Sequence, residues 1–154
     1  MANAPRRRGG DGEEIGNAKD AKETQRYAMA SEEDIGRAII GAAMKVHTIA
    51  GPGLLESAYE TCLISELEKN RLKARKQVAV AMRYEDLTID NGYRIDFLVE
   101  YLVVVELKAV PTILPVHRAQ LLSYLRLDGF KLGYLLNFNV SHMRDGILRL
   151  VNRL

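Results

Sequence analysis

Asp96, Glu106 and Lys108 place three charges in two apolar runs, residues 94–99 and 103–108, that are typical of neighbouring β-strands. If the chain folds back between the two runs, Asp96 comes opposite Glu106 to within one residue. Directly opposed side chains stand about 5 Å apart, and like charges at that separation are destabilising. A divalent cation removes this conflict, because hard cations such as Mg²⁺ take oxygen ligands and often use only one or two carboxylates. The spacing therefore predicts a metal site beside Lys108, whose side chain shares the face of Glu106.

The alternative interpretation is a surface hairpin with solvated acids, in which Lys108 forms an ordinary ion pair with Glu106 or Asp96. The residues around the acids argue against it. Residues 97–99 and 103–105 are continuous apolar runs, which are typical of strands covered on both faces. Because acids are seldom fully buried without a partner, we prefer the metal site.

Length and composition favour one soluble globular domain. The chain has 154 residues, of which 47% are apolar and 27% charged, as in ordinary globular proteins. A net charge of +2 does not by itself indicate a nucleic-acid partner, although a local basic patch could.

The single cysteine, Cys62, excludes an intramolecular disulfide and a cluster ligated by several cysteines. We expect it to be a small buried hydrophobe, and its solitude fits a reducing cytoplasm. No run approaches the roughly 20 apolar residues of a membrane span, and residues 1–10 lack the apolar core of a signal peptide. The expectation is a soluble protein that stays in the cytoplasm.

Residues 1 to about 30, in which large apolar side chains are rare before Tyr27, are predicted to be a flexible arm, followed by a folded domain over residues 31–154. The arm holds three consecutive arginines, but acids follow at once and largely cancel their charge, which favours a solvated tail. Three helices are predicted in the domain: from Ser31 to about Thr48, from near Leu54 to about Asn70, and from Pro115 to Asp128. His47 could bind a metal, but no second ligand neighbours it, and the helix dipole favours histidine at that end.

Strands are expected over residues 78–84, 87–89, 93–99, 102–108 and 131–138, with Asn91-Gly92 as the clearest turn and residues 144–150 as a short terminal helix. The order predicts an α/β fold in which helices flank a mixed sheet, since a strand that follows a helical crossover usually returns parallel. The hairpin that carries Asp96 and Glu106 should lie at the centre of this sheet.

Asp96 followed by Glu106-Leu107-Lys108 resembles the signature of the PD-(D/E)XK nuclease superfamily, an acid on one strand and Glu-x-Lys on the next. The proline that precedes the aspartate in that signature is replaced here by Ile95. A closer resemblance is to the small bacterial GxxExxY proteins of the superfamily, because Gly53, Glu56 and Tyr59 give their defining string; the likeness covers roughly residues 35–139. It implies a restriction-endonuclease-like core.

A third motif lies in the predicted helix after the Glu-x-Lys strand. Gln120 and Tyr124 are similar to the Gln-x-x-x-Tyr element of RecB-like exonucleases. Residues four apart share a helix face, and His117 lies one turn earlier on it. Without the acid pair, a packed Tyr124 and a solvated or capping Gln120 would be the preferred interpretation.

The resemblance also assigns roles. It implies that Asp96 and Glu106 ligate Mg²⁺ or Mn²⁺, with the Leu107 carbonyl as a further ligand and Glu56 approaching through water. Lys108 would orient the attacking water and balance charge on the scissile phosphate. Gln120 and Tyr124 would steady the substrate or Lys108. From spacing alone, Glu56 would only complement the helix dipole.

Basic residues that could meet phosphates occur around the predicted cleft, although a solvated rim explains them equally well: Arg71, Lys73, Arg75, Lys76, Arg94, Arg118, Arg126 and Lys131. Few aromatic residues are available for base stacking, which argues against sequence-specific binding of single strands. No separate recognition domain is expected, so any specificity should come from nucleic-acid structure, from a homo-oligomer or from a protein partner.

Three hypotheses remain from the sequence. The first is a metal-dependent deoxyribonuclease, which the intact acid, acid and lysine favour. The second is a catalytically silent nuclease-fold module that binds nucleic acid or a protein. The third is a structural domain in which the hairpin charges form an ion-pair network.

Overall fold

A computed structural model describes residues 30–152. The predicted flexible arm, residues 1 to about 30, lies almost entirely outside the described residues. The elements follow one another as α1 (Glu32–Ala50), α2 (Glu56–Lys69), β1 (Ala74–Tyr84), β2 (Leu87–Val99), β3 (Val103–Lys108), α3 (Pro115–Asp128), β4 (Leu132–Asn137), a 3₁₀ turn (Met143–Gly146) and β5 (Ile147–Val151).

The five strands form one mixed sheet in the order β1-β2-β3-β4-β5. The pairs β1–β2, β2–β3 and β4–β5 are antiparallel, whereas β3 and β4 are parallel because α3 carries the chain across between them. The predicted α/β fold with a mixed sheet is confirmed, and β2 and β3 lie inside the sheet as expected.

Close helix-to-sheet contacts fix the helices against β4. A Cβ atom on Gly36 of α1 would lie 2.4 Å from the Tyr134 hydroxyl, and one on Gly133 would lie 3.0 Å from a methyl group of Leu125 in α3. Glycine at both positions lets the elements approach this closely. The sheet is therefore held between helices, and its central strands are fully buried: residues 103–105 and Leu107 have no exposed surface.

The helix starts and stops largely follow the predicted signals. Ser31 caps α1, its hydroxyl accepting the Asp34 N–H at 3.2 Å, and Gly129 ends α3 in the left-handed conformation at φ 71°. α2 ends close to Asn70 as predicted, but Asn70 does not make the left-handed stop that asparagine tolerates, because its φ is −82°. The positive φ falls on the next residue, Arg71, at 59°.

The prediction of a turn at Asn91-Gly92 is also wrong. β2 runs unbroken from Leu87 to Val99, and the connection from β1 is made at Glu85 and Asp86. Gly92 faces Met82 where the register of β1 shifts, and a Cβ on Gly92 would lie 2.4 Å from the Met82 Cβ. Glycine is needed at this position because the two strands approach each other closely at a bulge.

The predicted terminal helix over residues 144–150 is wrong as well. The chain makes a 3₁₀ turn and then forms β5, which pairs with β4 from Leu132↔Val151 to Leu136↔Ile147. Without β5, one side of β4 would leave its backbone N–H and C=O groups unpaired within the fold, which costs free energy. Tertiary pairing thus overrides the local helical pattern.

Two further features are the environment of Cys62 and the character of the helices. Cys62 is free, as predicted, but half-buried rather than fully buried. In residues 30–152 no helix combines the length and the apolar character that crossing a membrane requires.

Candidate active site

Asp96 lies where the pairing of β2 is interrupted on both sides. Toward β3, the register ends at Phe97↔Val105. Toward β1, pairs flank the position on either side, but Gln77, the residue opposite Asp96, is unpaired and has φ 51°. Positive φ is rare for a residue other than glycine and is found at functional sites. The backbone around Asp96 is therefore released from the regular ladder.

The β2–β3 hairpin turns at the residues expected from the sequence. Glu100 and Tyr101 have φ values of 51° and 57°, and the Leu102 N–H donates to the Val99 carbonyl across them at 3.0 Å. With Leu102, three residues connect the paired Val99 and Val103. The symmetry of Phe97↔Val105 about this turn, continued by one step, sets Asp96 against Glu106. The predicted opposition of the two acids is thus the geometry that the structure has.

The two carboxylates replace the missing ladder hydrogen bonds. Glu106 Oε1 accepts the Asp96 backbone N–H at 3.2 Å, and Asp96 Oδ2 accepts the Leu107 N–H at 3.0 Å. Each side chain thus reaches across to the backbone of the opposite strand. Both carboxylates are held in place while keeping lone pairs free for another partner.

Glu106 is the most strongly perturbed group of the site. It is only 4% exposed. Burial, followed by the charge of Asp96, raises its pKa to about 9, and the Lys108 ammonium offsets only part of this. A carboxyl group with a pKa near 9 carries its proton at neutral pH unless a cation takes the proton's place.

Glu56 is brought to the same place from the start of α2. Burial raises its pKa, whereas the Lys108 charge and the Ala109 backbone lower it and the Asp96 charge raises it. The charges of Lys108 and Asp96 therefore both influence the pKa of Glu56. The structure brings Glu56 together with the hairpin residues, which spacing alone did not require.

The Gly53-x-x-Glu56-x-x-Tyr59 string has a physical explanation in the loop before α2. Gly53 has φ 96°, a conformation that L side chains rarely adopt. The buried Tyr59 hydroxyl accepts the Leu54 N–H at 3.1 Å and donates to the Gly51 carbonyl, while its ring stacks on Phe138. The glycine thus sets the conformation of the loop, and the tyrosine hydroxyl fixes the loop just before Glu56, whose pKa responds to the charges of Lys108 and Asp96.

Replacing Tyr59 with phenylalanine is expected to lower the free energy of unfolding by about 1 kcal/mol, because two backbone groups lose their partner. For a chain of this size the melting temperature should fall by about 3 °C. Thermal unfolding followed by circular dichroism measures this. Tyr101→Phe is the matched control, since Tyr101 is 59% exposed and the same atom is removed. Equal melting temperatures for the two variants would contradict the role given to Tyr59.

Asn137 holds the chain that follows Lys108. It is 3% exposed and pairs with Lys108 in register. Its amide accepts the Val110 N–H at 3.1 Å and donates to the Val110 carbonyl at 2.9 Å. The Phe138 N–H also donates to the Lys108 carbonyl, at 2.9 Å. Sequence reasoning missed Asn137, whose only signal was an amide at the end of a buried strand.

The α3 side of the site carries the predicted Gln120 and Tyr124. Gln120 donates to the Tyr124 hydroxyl. Burial raises the pKa of Tyr124, and the charges of Glu106 and Asp96 raise it further. The Tyr124 ring stacks on Tyr93 with centroids 4.3 Å apart. His117 instead has a local role, its Nδ1 accepting the Leu114 N–H at 3.0 Å at the start of α3.

The basic residues proposed as cleft walls are all exposed, and at least one has another contact. The Arg75 guanidinium lies 5.4 Å from the centroid of the Tyr101 ring, a cation–π geometry. Arg94 lies two residues before Asp96 on β2, and Arg118 lies two before Gln120 on α3. Arg126 likewise lies two residues after Tyr124, so these three are the cationic residues of the group nearest in sequence to the site.

The donor set fits a divalent cation bound by few protein ligands. Across residues 30–152, no salt bridge within 4.0 Å involves Asp96, Glu106 or Glu56, so the ion-pair network of the alternative interpretation is not formed. No group of three or more His, Cys, Asp or Glu side chains is placed to hold a metal in that part of the chain. Two carboxylates with a backbone carbonyl and water match the ligation that Mg²⁺ prefers.

Comparison with known proteins gives one match. A family model of the PD-(D/E)XK nuclease superfamily matches residues 33–150. Neither the curated proteins nor the solved structures contain a match. Of the three helices and five strands, the matched span leaves out only Glu32 at the start of α1 and Val151 at the end of β5, and the mixed sheet has the arrangement of a restriction-endonuclease-like core. The chain therefore belongs to the PD-(D/E)XK nuclease superfamily.

Proposed function

We propose that this protein is a metal-dependent nuclease that hydrolyses phosphodiester bonds in DNA, using Mg²⁺ or Mn²⁺. Membership of a nuclease superfamily supports phosphodiester hydrolysis in general. The observation that carries the proposal for this chain is the pair Asp96 and Glu106, two adjoining carboxylates with no ion-pair partner among residues 30–152.

Asp96, Glu106 and the Leu107 carbonyl would hold the cation, and Glu56 would reach it through water. When bound, the cation lowers the pKa of a water molecule and offsets charge on the scissile phosphate. Backbone N–H groups already fix both carboxylates, so little ordering is required on binding.

Lys108 gives the site a positive charge that is present whether or not a metal ion is bound. Its charge acts on both Glu106 and Glu56. In the proposed reaction the ammonium group orients the attacking water and stabilises the charge that develops on the phosphate oxygens. The pairing of Lys108 with Asn137 and the hydrogen bond to its carbonyl hold the backbone from which it reaches the site.

The Tyr124 hydroxyl and the Gln120 amide are proposed to steady the substrate or Lys108 from the α3 side. Their mutual hydrogen bond fixes the hydroxyl beside the acids. The Gly53, Glu56 and Tyr59 string supports the narrower proposal that the chain is one of the GxxExxY proteins. A cytoplasmic location remains a prediction from the free Cys62.

A cleavage screen tests the function. Single-stranded, duplex and branched DNA and RNA are incubated with the protein in Mn²⁺, in Mg²⁺ and in chelator, with Lys108→Met as the inactive control. We expect metal-dependent cleavage of DNA by the natural chain alone. Binding of nucleic acid without turnover in any metal would instead support the catalytically silent module. Cleavage by Lys108→Met at the same rate would attribute the activity to a contaminant.

A further inference from the structure

A groove of about 610 Å³ lies between the C-terminal end of α1 and the segment that follows β4. Met44, His47 and Thr48 line it from α1, residues 141–144 line it from the opposite side, and Gly51 and Pro52 form its floor next to the loop before α2. None of the described residues that line it is acidic. The groove is therefore unlike the candidate active site, where the carboxylates of Asp96 and Glu106 adjoin.

The groove is built around a fixed histidine. His47 is 9% exposed, and its Nε2 lies 2.7 Å from the Val140 carbonyl oxygen. Because a carbonyl only accepts, Nε2 carries the proton and donates. This bond fastens residues 139–144 to α1 and sets the width of the groove. The role of His47 is thus positional.

Donors for an anion are supplied by the wall opposite His47. Ser141 offers a hydroxyl, His142 an imidazole and Arg144 a guanidinium, and all three residues are exposed. The nearest acid to Arg144 is Asp145, with Nε and Oδ1 4.0 Å apart and side chains 80% and 64% exposed. Such an exposed pair contributes little, so the guanidinium can turn toward a ligand.

The groove adjoins the candidate active site along the chain. Pro52 in its floor precedes Glu56 by four residues, and four extended residues span at most about 14 Å. The Tyr59 hydroxyl locks the intervening loop by bonding both Gly51 and Leu54, so this spacing is fixed. With a rise of about 3.4 Å per nucleotide, a strand held at Glu56 reaches the groove within about four nucleotides.

From this geometry we infer that the groove is a second phosphate subsite, which binds an internal phosphodiester of the substrate strand a few nucleotides from the scissile bond. The inference rests on the proposed nuclease function and adds a length requirement to it. Substrates too short to reach Arg144 should bind only through the metal site. Longer ones should gain affinity and a steeper dependence on salt, because one or two more phosphates are neutralised.

The test uses Lys108→Met protein with Mn²⁺, so that binding is measured without turnover. Single-stranded oligonucleotides from about two to about twelve nucleotides cover the relevant range of site sizes. Fluorescence anisotropy gives Kd against length and salt. Arg144→Ala should weaken binding about 10-fold for the longer oligonucleotides and leave the shortest unchanged. The slope of log K against log salt should fall by about 0.7. Ser141→Asp should weaken binding of the longer oligonucleotides further by repelling phosphate.

Arg37→Ala is the matched control. Arg37 also lies beside an acid, Asp34, and is also exposed, but it is ten residues before His47 on α1, about 15 Å along the helix axis. The Arg37→Ala substitution should leave the affinity for every oligonucleotide the same as in Lys108→Met protein without it. If Arg144→Ala changes affinity equally at all lengths, or not at all, the subsite is wrong, and cleavage by the natural chain would still support the nuclease. If the natural chain neither binds nor cleaves DNA, both proposals fall.

Discussion

Replacing Lys108 with methionine is expected to reduce the rate of DNA cleavage about 10²- to 10³-fold while leaving the fold intact. Methionine keeps the apolar stem and removes the ammonium group, so the lost contribution is the charge beside the phosphate. Removing one preorganised group that stabilises transition-state charge typically costs this much in kcat. Because the effect belongs to the transition state, kcat should fall while KM stays nearly constant.

Lys69→Met is the matched control for this substitution. Lys69 is exposed on α2, thirteen residues from Glu56, or about 20 Å along the helix. It pairs with Glu66, which keeps Lys45 as a second partner. Cleavage kinetics for the two variants and the natural chain, measured at saturating Mn²⁺, decide the question. A Lys108→Met enzyme with undiminished kcat would remove Lys108 from the mechanism.

Replacing Glu106 with glutamine is expected to abolish metal-dependent cleavage and, at the same time, to stabilise the metal-free protein at neutral and alkaline pH. Glutamine is close in shape, and its oxygen can still accept the Asp96 N–H. It carries no charge, so it needs no bound proton to avoid repelling Asp96, and it does not bind a cation strongly. Residues arranged for metal binding are destabilising until the metal arrives.

The pH dependence of this gain follows from the raised pKa. Folding lifts the pKa of Glu106 from 4.5 to about 9, so the folded state holds the proton more tightly than the unfolded state. The stability that this contributes is fully present below about pH 4.5 and is lost as the pH rises through about 9. In metal-free buffer the natural chain should lose on the order of 2 kcal/mol between pH 5 and pH 7. The Gln variant should not show this loss.

Denaturant unfolding at several pH values in chelator measures the difference between the two proteins. Glu68→Gln is the control, since Glu68 is exposed on α2 and its loss removes one charge without touching the site. A Glu106→Gln protein whose stability follows the same pH profile as the natural chain would show that Glu106 is not the perturbed group.

The opposition of Asp96 and Glu106 could be predicted from the sequence because a hairpin pairs residues symmetrically about its turn. From the sequence alone, the residue opposite Asp96 could be predicted to within one position. The observed pair Phe97↔Val105 shows that this residue is Glu106. The interruption of the sheet at Asp96 could not be predicted. It depends on the conformation of Gln77 in β1, which no residue type at that position signals.

Errors in the fold arose where tertiary contacts outweigh local signals. Asn91-Gly92 is a strong turn dipeptide, yet Gly92 is required for the close approach of Met82 across the hairpin. The sequence of residues 144–150 is compatible with either a short helix or an edge strand. It forms a strand because the backbone groups on one side of β4 then gain hydrogen-bond partners. Asn137 shows the same limit at the site, since its contacts with Val110 join segments 27 residues apart.

The most direct test of the account is a calorimetric titration of Mn²⁺ into the natural chain and into Asp96→Asn, each in two buffers of different ionisation enthalpy. The account predicts that one ion binds the natural chain and that binding near neutral pH releases a proton from Glu106, because the bound form of the carboxyl group is the ionised one. Asp96→Asn should bind far more weakly. Equal binding by both proteins, or no binding by the natural chain at millimolar metal with DNA present, would contradict the claim that Asp96 and Glu106 share a divalent cation.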